Sequence, residues 1–341
     1  MEGDINEFIH DMDKQMSAKS FRYFFEDILG FDYSHHHESW DKGLAENKYY
    51  CVKASRDHGK SVFFMSYALW IAAFKPGTHV MIFSHSLEQT LEHMRFIRNN
   101  IESTPILREL IPEGRPWRKT YFEFENGSRM MAKSVGGGTR GFHPHVVVCD
   151  DILWGTTGTE LQRAADWFYG VLLPVLHHTG RMMIVGTPFS YNDLYAELEQ
   201  RDAFTVETYP AIDAAGEALW PERWNLESLD QRRLSMPAIQ FSRVFGQHFI
   251  GWDTAIASDK NADYTAMIVM RTLPDDHTKQ IVGVIHEKGL GGAAQKKHIL
   301  MLNNRFQPDL IELEGNNFQR MFAAELQDMR SDIPIKTFMT T

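Results

Sequence analysis

A short apolar run, Tyr49-Tyr50-Cys51-Val52, leads into Ser55-Arg56-Asp57-His58-Gly59-Lys60-Ser61, and the apolar stretch Val62 to Phe74 follows. This is the spacing of a phosphate-binding loop between a strand and a helix, with Ala54 where the first glycine would stand. In such a loop, backbone N–H groups and the helix N-terminus cradle phosphates. Lys60 is then expected to reach the β- and γ-phosphates, and the Ser61 hydroxyl to bind Mg²⁺. A second run, Val146-Val147-Val148-Cys149, ends in the adjacent carboxylates Asp150 and Asp151. Buried carboxylates are costly without partners, so such a pair points to metal and water chemistry. Asp150 is expected to hold Mg²⁺, and Asp151 to orient or deprotonate an attacking water. Ile184-Val185-Gly186-Thr187-Pro188 ends a third run in a polar turn whose Thr187 could sense the γ-phosphate. Arg140, inside Gly136-Gly137-Gly138-Thr139-Arg140-Gly141, could stabilise charge on a transferring phosphoryl group. Together these residues imply hydrolysis of a nucleotide, with ATP and Mg²⁺ as the expected ligands.

A further set of acids lies later in the chain. Asp253 follows Phe249-Ile250-Gly251-Trp252, Asp263 opens Asp263-Tyr264-Thr265-Ala266, and Glu312 and Glu314 sit on an apolar run. Side chains alternate along a strand, so Glu312 and Glu314 share a face. Carboxylates converging from neighbouring strands suit a two-metal site that clamps a scissile phosphate with Mg²⁺ or Mn²⁺. Two other features are discounted. In His35-His36-His37 the consecutive side chains diverge, which argues against a metal patch. Arg115-Pro116-Trp117-Arg118-Lys119 has the composition of a nucleic-acid contact but reads better as a solvated loop.

The elements that must position these residues are legible from hydrophobic pattern. Apolar runs at 49–52, 79–83, 146–149 and 181–185 alternate with helical candidates at 62–74, 86–103 and 159–178. Continuous apolar strands separated by helices imply a mostly parallel sheet covered on both faces. Tyr121 to Phe124 and Arg129 to Ala132, joined through Asn126-Gly127, read as a β-hairpin. Residues 1–48 are a polar preface of one or two helices leaning on the later core. Residues 49–204 form the nucleotide-binding domain, and residues 205–246, with Pro210, Pro221, Pro237 and a helix near 225–234, a linker or lid. From 247 to 341 the order is β-β-β-α-β-α-β, a mixed sheet.

Composition bounds the function. With 341 residues, 43% hydrophobic and 23% charged, the chain is an ordinary globular one of two domains. Its formal charge of −10 excludes a broadly cationic nucleic-acid coat. Its two cysteines, Cys51 and Cys149, cannot make a disulfide framework or a four-ligand zinc site and read as small buried residues. No apolar run approaches the ~20 residues of a membrane span, and Met1-Glu2-Gly3-Asp4 lacks a secretory pattern, so the cytosol and no membrane partner are expected.

With these motifs in place, the chain resembles the bacteriophage terminase large subunits over roughly residues 35–330. An arginine-bearing, degenerate Walker A loop is similar to Ser55–Ser61, a Walker B ending in two aspartates to Asp150-Asp151, and a Gly-Thr-Pro coupling motif to Gly186-Thr187-Pro188. A Leu-Trp-Pro-Glu-Arg segment matches Leu219 to Arg223, and Arg140 stands where an arginine finger would act on a neighbouring subunit. The resemblance implies an α/β fold: a P-loop ATPase of the ASCE type, then a partial ribonuclease H-like nuclease. It implies Asp253, Asp263 and Glu314 as that nuclease's metal-binding acids, with Glu312 outside the ligand set. A third acid of the family would lie beyond Thr341, so reduced or absent nuclease activity is the expectation. The segment before Phe249 is also shorter than the family leads one to expect. The implied activity is ATP-driven packaging of double-stranded DNA into a procapsid by a homo-oligomeric ring, with the portal protein and a terminase small subunit as partners. The implied location is the host cytoplasm, transiently at the portal vertex. A helicase-like ATPase and a non-enzymatic assembly protein derived from a motor are the rival readings.

Overall fold

The computed structural model describes the chain outside residues 1, 115–116, 140, 154–157, 188–192, 214–215, 236–247, 254–263, 273–278, 307, 309, 315–316, 330–332, 334 and 339–341. The chain divides into two units, Met1–Val206 and Glu207–Thr341. Among the described residues, no helix is long and apolar enough to cross a membrane.

The first unit begins with helices α1 (Glu2–Lys19), α2 (Phe21–Tyr23), which runs on into a π-helical turn at Phe24–Ile28, and α3 (His35–Glu46). Strand β1 (Tyr49–Ala54) leads to α4 (Lys60–Phe74), then β2 (His79–Ser84), α5 (Leu87–Ser103), the short α6 (Pro105–Arg108), the hairpin β3 (Tyr121–Glu123) and β4 (Arg129–Ser134), and β5 (Val146–Asp150). After α7 (Gly158–Trp167) come β6 (Arg181–Gly186), α8 (Leu194–Glu199) and β7 (Thr205–Tyr209), within which the chain passes from one unit to the other.

These strands form one sheet in the order β3-β4-β2-β5-β6-β1-β7. The run from β4 to β1 is parallel, and β3 pairs antiparallel with β4. The parallel strands are apolar because both faces are covered: every residue of β5 is buried, and all but the first of β1, β2 and β6. Cys51 and Cys149 are buried free thiols. The hairpin turn also holds a neighbour, since Asn126 Nδ2 donates to the carbonyls of Ala72 and Ala73 at the end of α4.

The N-terminal helices are part of this core. An aromatic cluster joins them to α4: Phe21 meets Tyr67 at 4.7 Å, His37 stacks on Phe63 at 4.9 Å, and Trp40 packs edge-on to Phe63 at 5.5 Å. His36 and His37 are both buried, and His37 Nδ1 accepts the Ser34 N–H that opens α3. His36 and His37 are therefore packing residues, and His37 also caps the helix.

Two sequence expectations need correction. The helix expected over 159–178 stops earlier: α7 passes into a π turn at Phe168–Leu172 and a 3₁₀ turn at Leu173–Val175. Pro174 offers no N–H to the carbonyl four residues back, and its ring crowds that position. Thr205–Tyr209, expected in the linker, is a strand of half-buried residues extending the sheet beyond β1. Such an edge carries no continuous apolar signal.

The second unit holds α9 (Leu226–Ser235), β8 (His248–Asp253), β9 (Tyr264–Thr272), β10 (Lys279–Lys288), α10 (Gly292–Phe306), β11 (Leu310–Glu314), α11 (Asn317–Met329) and β12 (Ile335–Phe338). Its sheet is mixed, in the order β10-β9-β8-β11-β12, with β8, β9 and β10 antiparallel and β11 parallel to both β8 and β12. Met267, Val269, Ile311 and Leu313 from the strands meet Ile299, Leu302, Phe322 and Leu326 from the helices in its core. In the Leu219–Arg223 segment, Trp220 is buried and the Arg223 guanidinium lies 5.1 Å over its ring.

Burial, reinforced by neighbouring His36, pulls the His37 pKa from 6.5 down to about 2. The unfolded chain then binds a proton that the folded chain refuses, so stability is full above about pH 6.5 and falls as the pH drops toward 2. The expected slope is up to ~1.4 kcal/mol per pH unit. Urea denaturation between pH 7.5 and 5 should show this slope, and His37→Gln should flatten it.

Candidate active site

In a parallel sheet, the ends of neighbouring strands come to one edge. Here β6 stands between β1 and β5, so the loop after β1, the acids after β5 and the turn after β6 are side by side. This order is consistent with a P-loop ATPase-like fold.

The loop after β1 turns through two left-handed residues, Asp57 at φ 64° and Gly59 at φ 79°, before α4 begins at Lys60. The His58 ring folds back on its own loop, with Nδ1–H donating to Arg56 O at 2.7 Å, and His36 Nε2–H donates to His58 O at 3.3 Å. Lys60 is buried. Its ammonium donates to Ala54 O at 2.7 Å, Ser55 O at 2.8 Å and Thr187 Oγ1 at 3.1 Å. Burial lowers its pKa, opposed by Asp151 and then Asp150.

Asp150, the last residue of β5, is fully buried, and its Oδ2 accepts the Ser61 hydroxyl at 2.7 Å. Its Oδ1 is buried without a hydrogen-bond partner among the described residues. A hydroxyl beside a carboxylate with a spare oxygen is a donor set that fits Mg²⁺, a hard cation that takes oxygen ligands. Asp151 departs from the strand at φ 46°; with Asp57 it is one of two non-glycine residues with positive φ among the described residues. Strain of this kind persists where surrounding contacts enforce it. The Asp151 N–H donates to Val185 O at 2.9 Å, and its Oδ1 accepts the Thr187 N–H at 3.0 Å. Burial raises the Asp151 pKa and Asp150 adds to the rise, with Lys60 and the Thr187 N–H acting against them.

Lys60, Ser61, Asp150, Asp151 and Thr187 thus form one connected group. Thr187 is its junction: the hydroxyl accepts from Lys60 and the amide donates to Asp151. Beneath it, a Cβ on Gly186 would lie 2.1 Å from the Tyr195 hydroxyl, so glycine is needed there for space. His93 is a member that sequence reasoning missed. From α5 it places Nε2 2.8 Å from Asp150 Oδ2.

Other expected residues fall elsewhere. Arg140, Pro188 and Asp263 lie outside the described residues. Asp253 and Glu314 are the last residues of β8 and β11, which are adjacent and parallel with Leu313 opposite Trp252, so the two acids end neighbouring strands at one edge. Glu312 is exposed and lies opposite Gly251, two residues back from that edge. Trp117 packs against Phe122 with ring centroids 4.6 Å apart and donates from Nε1 to Glu123 O, so its ring is engaged within the hairpin.

Gly186→Ala should push either Tyr195 or the Thr187 turn out of place, at a cost of about 1–3 kcal/mol. Thermal denaturation should show the loss, and Gly170→Ala, where the added methyl meets nothing within 4 Å, should leave the melting temperature nearly unchanged.

No family model matches the chain. The large terminase subunit of Enterobacteria phage T3 is 29% identical over 180 residues, a match that covers 49% of this chain and 30% of that protein's length. Among solved structures, the HK97 bacteriophage large terminase aligns with a TM-score of 0.50 at 12% identity, covering 95% of this chain and 85% of that one. The Thermus phage P74-26 large terminase ATPase domain aligns with a TM-score of 0.51 at 18% identity, covering 66% of this chain and 96% of that one. At such identities the two structures bear on the fold alone. In sequence over the matched stretch and in fold, this chain is similar to the phage terminase large subunits, as its ordered motifs imply.

Proposed function

We propose that the chain is the ATP-hydrolysing subunit of a phage DNA-packaging motor, and that the edge formed by β1, β6 and β5 is its ATPase site. The observation that carries this reading is the connected group in which Lys60 meets Thr187, Thr187 meets Asp151, and Ser61 meets Asp150. Residues Ser55 to Ser61 wrap the phosphates, and Lys60 exchanges its contacts with Ala54 O and Ser55 O for β- and γ-phosphate oxygens. Ser61 and Asp150 would hold Mg²⁺, which supplies neutralising charge to the phosphate oxygens when bound. Asp151 orients the attacking water and accepts its proton; its raised pKa makes it a better base than an ordinary aspartate. Thr187 reads the γ-phosphate and relays its loss to Asp151. Arg140 adds positive charge to the transition state, from the same or a neighbouring subunit.

Residues 49–209, which carry the first sheet, are the motor domain in this reading, 210–246 a linker and 247–341 a ribonuclease H-like nuclease. Asp253 and Glu314, at adjacent strand ends, are then metal-binding acids together with Asp263, taking Mg²⁺ or Mn²⁺. The partners are double-stranded DNA, the portal protein of the procapsid, a terminase small subunit and further copies of this chain in a ring, and the site of action is the portal vertex in the host cytoplasm.

Steady-state ATP hydrolysis with and without double-stranded DNA tests the proposal. Lys60→Ala and Asp150→Ala should each lower Mg²⁺-dependent turnover by a factor of about 100 or more, in line with the loss of a charged group from a phosphoryl-transfer site. Turnover unaffected by either substitution would refute the assignment. Any Mn²⁺-dependent cutting of double-stranded DNA should be lost in Asp253→Ala and in Glu314→Ala and spared in Lys60→Ala.

A further inference from the structure

The two oxygens of Asp150 have different surroundings. Oδ2 accepts from Ser61 and has His93 Nε2 at 2.8 Å, whereas Oδ1 is buried with no hydrogen-bond partner among the described residues. His93 reaches this point from the buried side of α5, where Thr90, Met94, Ile97 and Ile101 line the same face. An imidazole there must bury a polar nitrogen, which is costly unless the nitrogen meets a partner. The Asp150 carboxylate is the group Nε2 approaches, at 2.8 Å from Oδ2, as a close polar contact outside hydrogen-bond geometry. Ser84, opposite Asp150 across β2 and β5, buries a further hydroxyl without a hydrogen-bond partner among the described residues.

We propose that His93 is a positioning residue for the cation of the ATP site, a reading that rests on the ATPase assignment above. The Ser61 hydroxyl would offer a cation an oxygen lone pair while its proton stays on Asp150 Oδ2. His93, against the same oxygen, would help fix the orientation of the carboxylate and leave Oδ1 available to a cation. Groups that hold a metal-binding carboxylate in this way typically change metal affinity ten- to a hundred-fold when removed. His93 is thus a determinant of cation affinity that does not itself touch nucleotide.

Mn²⁺ binding followed by electron paramagnetic resonance, in the presence of saturating ADP and with Asp253→Ala and Glu314→Ala in the parent chain to silence its second proposed cation site, tests this on the whole chain. His93→Ala and His93→Leu should raise the Mn²⁺ dissociation constant about ten-fold or more. His93→Gln, which keeps an N–H for Asp150, should recover most of the affinity, a rescue that a purely structural role would not produce. If His93→Ala loses its cooperative melting transition, the Leu and Gln variants, which keep more of the volume, decide the matter. Equal Mn²⁺ affinity in the parent and His93→Leu, or equal weakness in Leu and Gln, overturns the role of His93 alone. A parent chain that binds no Mn²⁺ with ADP overturns the ATP-site reading and this one with it.

Discussion

The first unit depends on holding a carboxylate, Asp150, in a fixed orientation where solvent does not reach it. Removing a carboxylate from water without compensation costs on the order of several kcal/mol. Its surroundings are built to answer that cost: the Ser61 hydroxyl from α4, the His93 ring from α5 and, a little further off, the Lys60 ammonium. Each comes from a different element, so the sheet and its two nearest helices must be assembled before the charge is compensated. The fold and the site are, in this sense, one construction. Lys60 carries the converse burden, an ammonium buried among carbonyl oxygens and the Thr187 hydroxyl.

The same logic explains why strand β6 occupies the middle. Lying between β1 and β5, it brings Thr187 within reach of Lys60 on one side and of Asp151 on the other. A threonine can serve both because its hydroxyl and its backbone amide point to different partners. Gly186 precedes it because the space above that position belongs to the buried Tyr195 ring. A change at one member of this chain of contacts is therefore felt at the others without any long-range relay.

Much of this was legible in the sequence. The ends of β1, β5 and β6 could be read to within two residues because a parallel sheet demands uninterrupted apolar runs, and such runs end abruptly in polar residues. The mixed sheet of the second unit was equally visible from alternating short runs, and β8 through β12 fall where expected. His93 was hidden because it lies on an amphipathic helix at a core-facing position, and nothing local distinguishes a histidine that meets a distant carboxylate from one that packs. The early end of α7 was misread because apolar spacing continues past Pro174 while hydrogen bonding does not. The N-terminal preface proved more integral than its polar composition suggested, since a few aromatic residues, Phe21, Phe25 and Trp40, carry its attachment to α4.

The central claim is that Lys60, Ser61, Asp150, Asp151 and Thr187 surround the terminal phosphates of one bound nucleotide. A structure of the chain with a non-hydrolysable ATP analogue and Mg²⁺ addresses it most directly. The account predicts the γ-phosphate between Lys60 and Thr187, the cation beside Ser61 and Asp150, and Lys60 released from the Ala54 and Ser55 carbonyls. A nucleotide seated elsewhere, or one seated here while Lys60 keeps both carbonyls and the cation lies apart from Asp150, would contradict it.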